Sequence, residues 1–322
     1  MADRPAYGTP GDDSTRHEHI PLDGTADPGV PVDLDIGIES GRVTLVLDGP
    51  AGTVGTAGGT RGVDVSVRHE PGAHAPWARG MAGMLNWVGE QVGEQLGYEL
   101  RGSPAEAVAA TRIERAGDRV VVRASPHLPL RHIPLDVTVH APEGARLRLH
   151  GGSAPLTVDG TLGSADIVTG SGDVSLGRLV AGGSVRTGSG DVTLESAGGT
   201  VELRTGSGAV LASSLTTPAT VATGSGAVRV GRLDGDVLLR SGSGDLTVGD
   251  AGSGEVEIHT GSGDIRAGVR RGCVAEVDLS SGTGTVSSDL EVSATEPTGD
   301  VPLRIRARAR AGSVSVGAAP AR

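Results

Sequence analysis

The residue types best suited to chemistry recur in one short segment, a serine between glycines followed by an acid, as in "VRTGSGDVTL" from Val185 to Leu194. Four chemistries fit it at first sight: a phosphate cradle, a calcium loop, a nucleophile on a strained turn, or a corner in a folded ribbon. A phosphate loop aims backbone N–H groups from a Gly-rich turn into a helix, in a GK[ST] or GxGxxG arrangement. Here strand patterning follows the motif, and all 28 basic residues are Arg, so no lysine serves a phosphate or a Schiff base. A nucleophile elbow needs G-x-S-x-G and a following helix, and G-S-G-D supplies neither. Calcium is the better rival, because glycine-rich β-rolls bind it between coils through repeated aspartates. The acidic ladder of Asp173, Asp191, Asp245 and Asp264 is interrupted by Ala209 and Ala227, however, which suits the dilution of like charge better than a file of ions. Neither calcium nor any other cofactor is expected. The Thr and Ser ladders at the same place could order water. Hydroxyls at β-corners more commonly satisfy local backbone groups, with glycine supplying φ > 0. The motif therefore reads as a corner.

The elements that carry it follow from its spacing. TGSGDV begins at Thr169 and Thr187, TGSGAV at Thr205 and Thr223, and SGSGDL at Ser241, each 18 residues after the last. TGSGDI at Thr260 and SGTGTV at Ser281 follow at spacings of 19 and 21, and "GGSAPL" at Gly151 reads as a worn copy. Such a period signifies a solenoid. Two residues before each motif stand Ile167, Val185, Leu203, Val221, Leu239, Ile258 and Leu279, and after it Val174, Val192, Val210, Val228, Leu246, Ile265 and Val286. The intervening positions are mostly polar, as in strands with one face on a core. Each period is thus strand, Gly-x-Gly corner, strand and a softer corner. Stacking coils about 4.8 Å apart pairs every backbone group with the coil above and below. Val185, Leu203, Val221 and Leu239 are expected in one interior ladder.

Composition agrees. Among 322 residues there are 54 glycines, no phenylalanine and 1% aromatics. Interior glycine costs a helix roughly 1 kcal/mol against Ala, whereas a thin, turn-rich β core needs small bends and stacks of Val and Leu. The net charge of −11 excludes a general nucleic-acid binder. The single cysteine, Cys273, forms no internal disulfide, and the start "MADRPAYGTPGDDSTRHEH" has no apolar core for export. No apolar run is long enough to span a membrane, and a cytoplasmic location is expected.

Recurring TGSGDV segments after the lead-in "PLDVTVHAPEGARLRLHGG" resemble the bacterial "putative adhesin" family of β-strand-repeat proteins, over about residues 130 to 290. The resemblance implies a β-solenoid whose domain has no established function. The fold class expected is all-β: a single-chain solenoid of 18-residue coils with a helical insertion near its N-terminal end.

Outside the repeats, residues 1–20 are expected to form a disordered tail, in which His17 and His19 flank Glu18. Residues 21–150 read as an irregular beginning of the same solenoid, 151–290 as its regular part, and 291–322 as closing strands and tail. Strands are expected in "VDLDIGIESGRVTLVLD", "GVDVSVRH", "TRIER", "RVVVRAS" and "LDVTVHA". The insertion covers about 76–110. Within it, residues 76–97 place Trp77, Met81, Met84, Leu85, Val88, Val92 and Leu96 at helical spacing, beside Trp87 and a glycine row at 89, 93 and 97. "SPAEAV" at Ser103 is a capping box with Pro at the first helical position. In "PLRIRARARAG", Arg304, Arg306, Arg308 and Arg310 fall on one face of a strand, read first as a terminal edge protected by charge and second as a site for an anionic partner.

Together these features describe a non-catalytic structural or interaction protein that presents a surface to a protein partner or to itself. Trp77, Met81, Met84, Trp87 and the four arginines are the candidate surface. A carbohydrate-active β-helix enzyme is the alternative, but the solenoid half has no Trp, Tyr or Phe to platform sugar rings. A secreted or surface adhesin is the third reading, and it requires export.

Overall fold

The protein is described from a computed structural model that covers residues 15–22, 31–48, 62–70, 103–291 and 301–320. The early strands are β1 (Thr15–Pro21), β2 (Asp33–Ile38), β3 (Gly41–Leu47) and β4 (Gly62–His69). A short helix α1 (Pro104–Ala109) precedes β5 (Arg112–Ala116), β6 (Arg119–Arg123) and β7 (Leu135–Ala141). The array continues as β8 (Arg146–Gly151), β9 (Leu156–Leu162), β10 (Ser164–Thr169), β11 (Val174–Leu179), β12 (Gly183–Thr187) and β13 (Val192–Ala197). Next come β14 (Val201–Thr205), β15 (Val210–Leu215), β16 (Ala219–Thr223), β17 (Val228–Asp234), β18 (Val237–Ser241), β19 (Leu246–Thr260) and β20 (Ile265–Val269). The chain closes with β21 (Ala275–Ser281), β22 (Val286–Ser288), β23 (Leu303–Ala309) and β24 (Val314–Ala318).

These strands form a flattened β-solenoid with two long sheets. The strand before each TGSG corner lies in the front sheet, where β8, β10, β12, β14, β16 and β18 pair in parallel. The strand after the corner lies in the back sheet, where β9, β11, β13, β15 and β17 do the same. The long β19 begins in the back sheet and ends in the front one. Register follows the repeat residue for residue: Val185 pairs with Leu203, Leu203 with Val221, and Val221 with Leu239. All four have no exposed surface. Facing them across the core are Val192, Val210, Val228 and Leu246, equally buried. Alternation decides this placement, because a one-residue slip would turn the whole apolar set outward.

Spatial order departs from chain order at both ends. The coil of β2 and β3 lies between the coil of β6 and β7 and that of β8 and β9. "IESGRV" before Val43 therefore occupies the place of a TGSGDV corner, and the worn copy at Gly151 is confirmed by the pairing of Gly151 with Thr169. At the far end the coil of β23 and β24 is inserted between β19–β20 and the coil of β21 and β22. Its Ala309 sits where Thr260 and Ser281 sit in the neighbouring coils. This coil is a further repeat whose corner has lost its hydroxyl.

Two expectations change. Residues 15–20, assigned to a disordered tail, belong to β1, antiparallel to β4. Its only deeply buried side chain is Ile20, so the alternation is almost wholly polar and hydropathy alone does not reveal it. The arginine strand β23 is no edge, since β19 and β21 flank it on both sides. The capping box forms as read: the N–H of Glu106 donates to Ser103 Oγ at 3.1 Å, and the N–H of Ser103 donates to Glu106 Oε2 at 3.3 Å. Buried Ala107 and Val108 seat α1 beside β1 and β4. The segment 76–97, with Trp77, Met81, Met84 and Trp87, lies outside the described residues.

Candidate functional site

The TGSG corners resolve into a backbone clamp. At each one the threonine or serine hydroxyl accepts from the N–H of the glycine three residues on: Gly190 to Thr187 at 3.0 Å, Gly208 to Thr205 at 3.0 Å, Gly226 to Thr223 at 3.0 Å and Gly244 to Ser241 at 2.7 Å. The same hydroxyl donates to a glycine carbonyl in the preceding coil: Thr205 to Gly190 at 3.0 Å, Thr223 to Gly208 at 3.1 Å and Thr260 to Gly244 at 3.2 Å. These hydroxyls are buried and use both donor and acceptor on the chain. They do not form an exposed water-ordering array.

The aspartates act in the same way. Asp173 Oδ1 accepts from the N–H of Asp191 at 2.8 Å, Asp191 Oδ1 from that of Ala209 at 2.7 Å, and Asp245 Oδ1 from that of Asp264 at 2.9 Å. Each carboxylate thus secures the next coil through one amide. Among the described residues no group of three or more His, Cys, Asp or Glu side chains converges to hold a metal ion.

Glycine is required here by proximity rather than by conformation, which corrects the reading that it supplies positive φ. In the repeats from Thr169 to Asp264 no glycine of a TGSG corner has positive φ, whereas Gly182, Gly235 and Gly254 at the softer corners do. Instead, a Cβ on Gly208 would lie 1.9 Å from the Gly190 carbonyl oxygen, and one on Gly226 would lie 1.8 Å from that of Gly208. The preceding coil occupies the space a side chain would need.

Each sheet also turns one face outward, with Leu211 and Arg229 on the back and two charged rows on the front. One row crosses successive strands as His150, Val168, Arg186, Arg204, Ala222, Arg240, His259 and Arg308. The adjacent row carries Asp166, Glu202, Glu257, Arg306 and Asp278. Ion pairs link the rows: Glu202 meets Arg204 at 2.6 Å and Arg186 at 3.3 Å. On β23, Arg306 reaches Glu255 at 2.6 Å, Arg304 meets Glu276 at 3.2 Å, and Arg308 meets Asp278 at 3.5 Å. The arginine stripe is therefore largely neutralised by neighbouring coils. Within the front-sheet row Arg240 is exposed with no ion pair shown, as is Arg310 just after β23.

At the opposite corner of the late coils, Arg270 binds Asp234 at 2.6 Å and Asp250 at 2.9 Å. The hydrogen bond from Arg270 holds the Asp234 carboxyl below the usual carboxylate range, against its partial burial and with help from Arg232. Arg270 is raised in turn, chiefly by its hydrogen bond to Asp234. Beside them Cys273 donates to the Gly252 carbonyl at 3.1 Å, and burial pushes its thiol up, which disfavours the nucleophilic thiolate. This cluster ties coils together, and its charges are mutually satisfied. Sequence reading missed it because Arg270 lies 20 and 36 residues from its two carboxylate partners and they share no motif.

No helix among the described residues is long and apolar enough to cross a membrane. Compared with known proteins, residues 159–309 match the family model described as Toastrack DUF4097. The chain is similar to a structure titled as a "putative adhesin" from Bacteroides fragilis NCTC 9343, with 11% identity over 94% of this chain and 96% of that chain and a TM-score of 0.37. It is also similar to a "putative cell adhesion protein" from Clostridium sporogenes ATCC 15579, with 8% identity over 94% of this chain and 99% of that chain and a TM-score of 0.18. No curated protein matches it.

Proposed function

From a chain whose residues 159–309 match the family model described as Toastrack DUF4097, we infer a non-catalytic interaction protein that presents the outer face of its front sheet to a protein partner. The observation that carries this reading is the division of polar groups. Corner hydroxyls and aspartates are spent on the backbone, while Arg186, Arg204, Arg240 and Arg308 stand in an outward row beside Glu202, Glu257 and Asp278. A row of arginines beside a row that mixes acids with Arg148 and Arg306 suits a mixed-charge protein surface better than a uniform polyanion. A repeat backbone keeps such rows rigid, so little ordering entropy is lost on contact. The stripe of Trp77, Met81, Met84 and Trp87 belongs to the same proposal as a second, apolar contact.

Affinity capture from the native host tests it, with wild-type protein, with Arg186→Glu/Arg204→Glu/Arg240→Glu, and with residues 76–97 deleted. A protein held by the wild type and released by the charge reversals supports the reading. Retention of the same protein by the reversed face, or turnover of acidic polysaccharides by the purified chain, would overturn it.

A further inference from the structure

The two ends of the array are finished differently. At the first end, β1 is the outermost strand of the back sheet and β5 that of the front sheet. The face of β1 that buries Ile20 also carries Arg16 and Glu18, which pair with each other. Arg16 further donates to the carbonyls of Ala109 at 3.2 Å and Thr111 at 2.6 Å, at the end of α1. From β5, Arg115 shares its face with core-packed Ile113 and donates across the end to the Pro21 carbonyl. Charged side chains pointing inward on terminal strands obstruct the addition of another strand.

At the other end the same positions are apolar. Ala275, Val277 and Leu279 on β21 continue the columns of Leu303, Ile305 and Ala307, which have no exposed surface, yet they are only half-buried. Val286 on β22 continues the column of Ile265 and Val314 and is 48% exposed. No strand among the described residues pairs with the far side of β21 or β22. Solenoid arrays need such ends covered. The acids on this rim, Glu276 and Asp278, are neutralised from behind by Arg304 and Arg308, so the edge carries little charge to repel a neighbour.

We propose that this end is the interface between two copies of the chain, joined tail to tail about a two-fold axis perpendicular to both sheets. That operation sets β21 antiparallel to β21 of the second copy and β22 antiparallel to its counterpart, so both sheets and the core continue at once. Head-to-tail stacking would place the apolar end against Arg16, Glu18 and Arg115, whereas tail-to-tail contact matches apolar to apolar and closes the assembly. Centred on Leu279, the register sets Leu279 against itself, Asp278 against Ser280 and Glu276 against Gly282, and no like charges face each other directly. The contact does not involve Arg186, Arg204 or Arg240, and reversing those three leaves it intact.

Light scattering on the full chain across a concentration series tests the proposal. The expected mass is twice the 32.1 kDa of one chain, with Leu279→Arg weakening dimerisation at least tenfold while the circular dichroism stays that of the wild type. A second experiment does not depend on that variant. In a Cys273→Ser background, Leu279→Cys is expected to cross-link under mild oxidation, since directly opposed residues lie about 4.5–5.5 Å apart. Val277→Cys is expected not to, because its two copies would be offset by about 13 Å along the strands, beyond disulfide reach. A monomer at every concentration, a dimer insensitive to Leu279→Arg, or cross-linking at 277 without 279 would overturn the proposal.

Discussion

Replacing Thr205 by Val isolates the corner clamp, because the side chain keeps its shape and loses only its hydroxyl. That hydroxyl accepts from the Gly208 N–H at 3.0 Å and donates to the Gly190 carbonyl at 3.0 Å, and Thr205 is 6% exposed. The substitution strands one donor and one acceptor out of reach of water. At roughly 1–3 kcal/mol for each buried group left unpaired, the expected loss is about 2–6 kcal/mol. The extra buried methyl recovers only part of this, roughly 0.8 kcal/mol. Urea denaturation followed by circular dichroism measures the change, with two controls. Thr205→Ser keeps both bonds, as Ser241 does in its own coil at 2.7 and 3.5 Å, and is expected within about 1 kcal/mol of wild type. Ser207→Ala, at the exposed middle of the same corner, is expected to change stability by less than about 0.5 kcal/mol. If Thr205→Val melts with the wild type, or no worse than Ser207→Ala, the clamp does not hold the coils and the reasoning fails.

Four further outcomes follow from the same geometry. Gly208→Ala forces a Cβ to 1.9 Å from the Gly190 carbonyl oxygen and is expected to disrupt the array, whereas Gly144→Ala meets nothing within 4 Å and costs only its φ of 80°, about 1 kcal/mol; paired thermal melts distinguish them. Leu203→Asp buries a charge where no surface is exposed and is expected to unfold the neighbouring coils, so a wild-type melt would show the strand phase to be wrong. Because Asp234 is held below its ordinary pKa in the folded state, its contribution to stability is complete above the unfolded value near 3.9 and is lost as pH falls through the folded one; Asp234→Asn should therefore flatten the acid limb of a plot of Tm against pH. Chelator should leave Tm unchanged, and calcium should not raise it, because the ladder carboxylates already accept N–H bonds from the next coil.

The central coils were legible because their chemistry is periodic. Ile167 to Ile258 repeat at nearly constant spacing, and alternation fixes their face once the strand period is recognised. The corner was legible as a corner, yet its mechanism was not. Sequence assigns glycine to positive φ or to close approach equally well, and only the neighbouring carbonyl at Gly208 decides between them. Chain order also suggested spatial order, and that failed for β2–β3 and for β23–β24. Any coil with matching columns can stack in either place, and the connecting segments that determine the order carry no periodic signal. Arg304 to Arg308 read correctly as an alternating face, but an alternating charged strand looks the same at an edge and between two acidic neighbours. The end cap was the least visible feature: Arg16 and Glu18 break the apolar pattern that marks a strand, and their partners at Ala109 and Thr111 are more than ninety residues away.

Amide exchange at the corner glycines, read residue by residue by NMR, tests most directly whether the TGSG motif is a clamp rather than an open ligand loop. The N–H groups of Gly190, Gly208, Gly226 and Gly244, each bonded to a buried hydroxyl, are predicted to be protected as strongly as the strand amides of Val192 and Val210. Exchange of those glycines at the rate of an unstructured loop, with the strand amides still protected, would contradict the account.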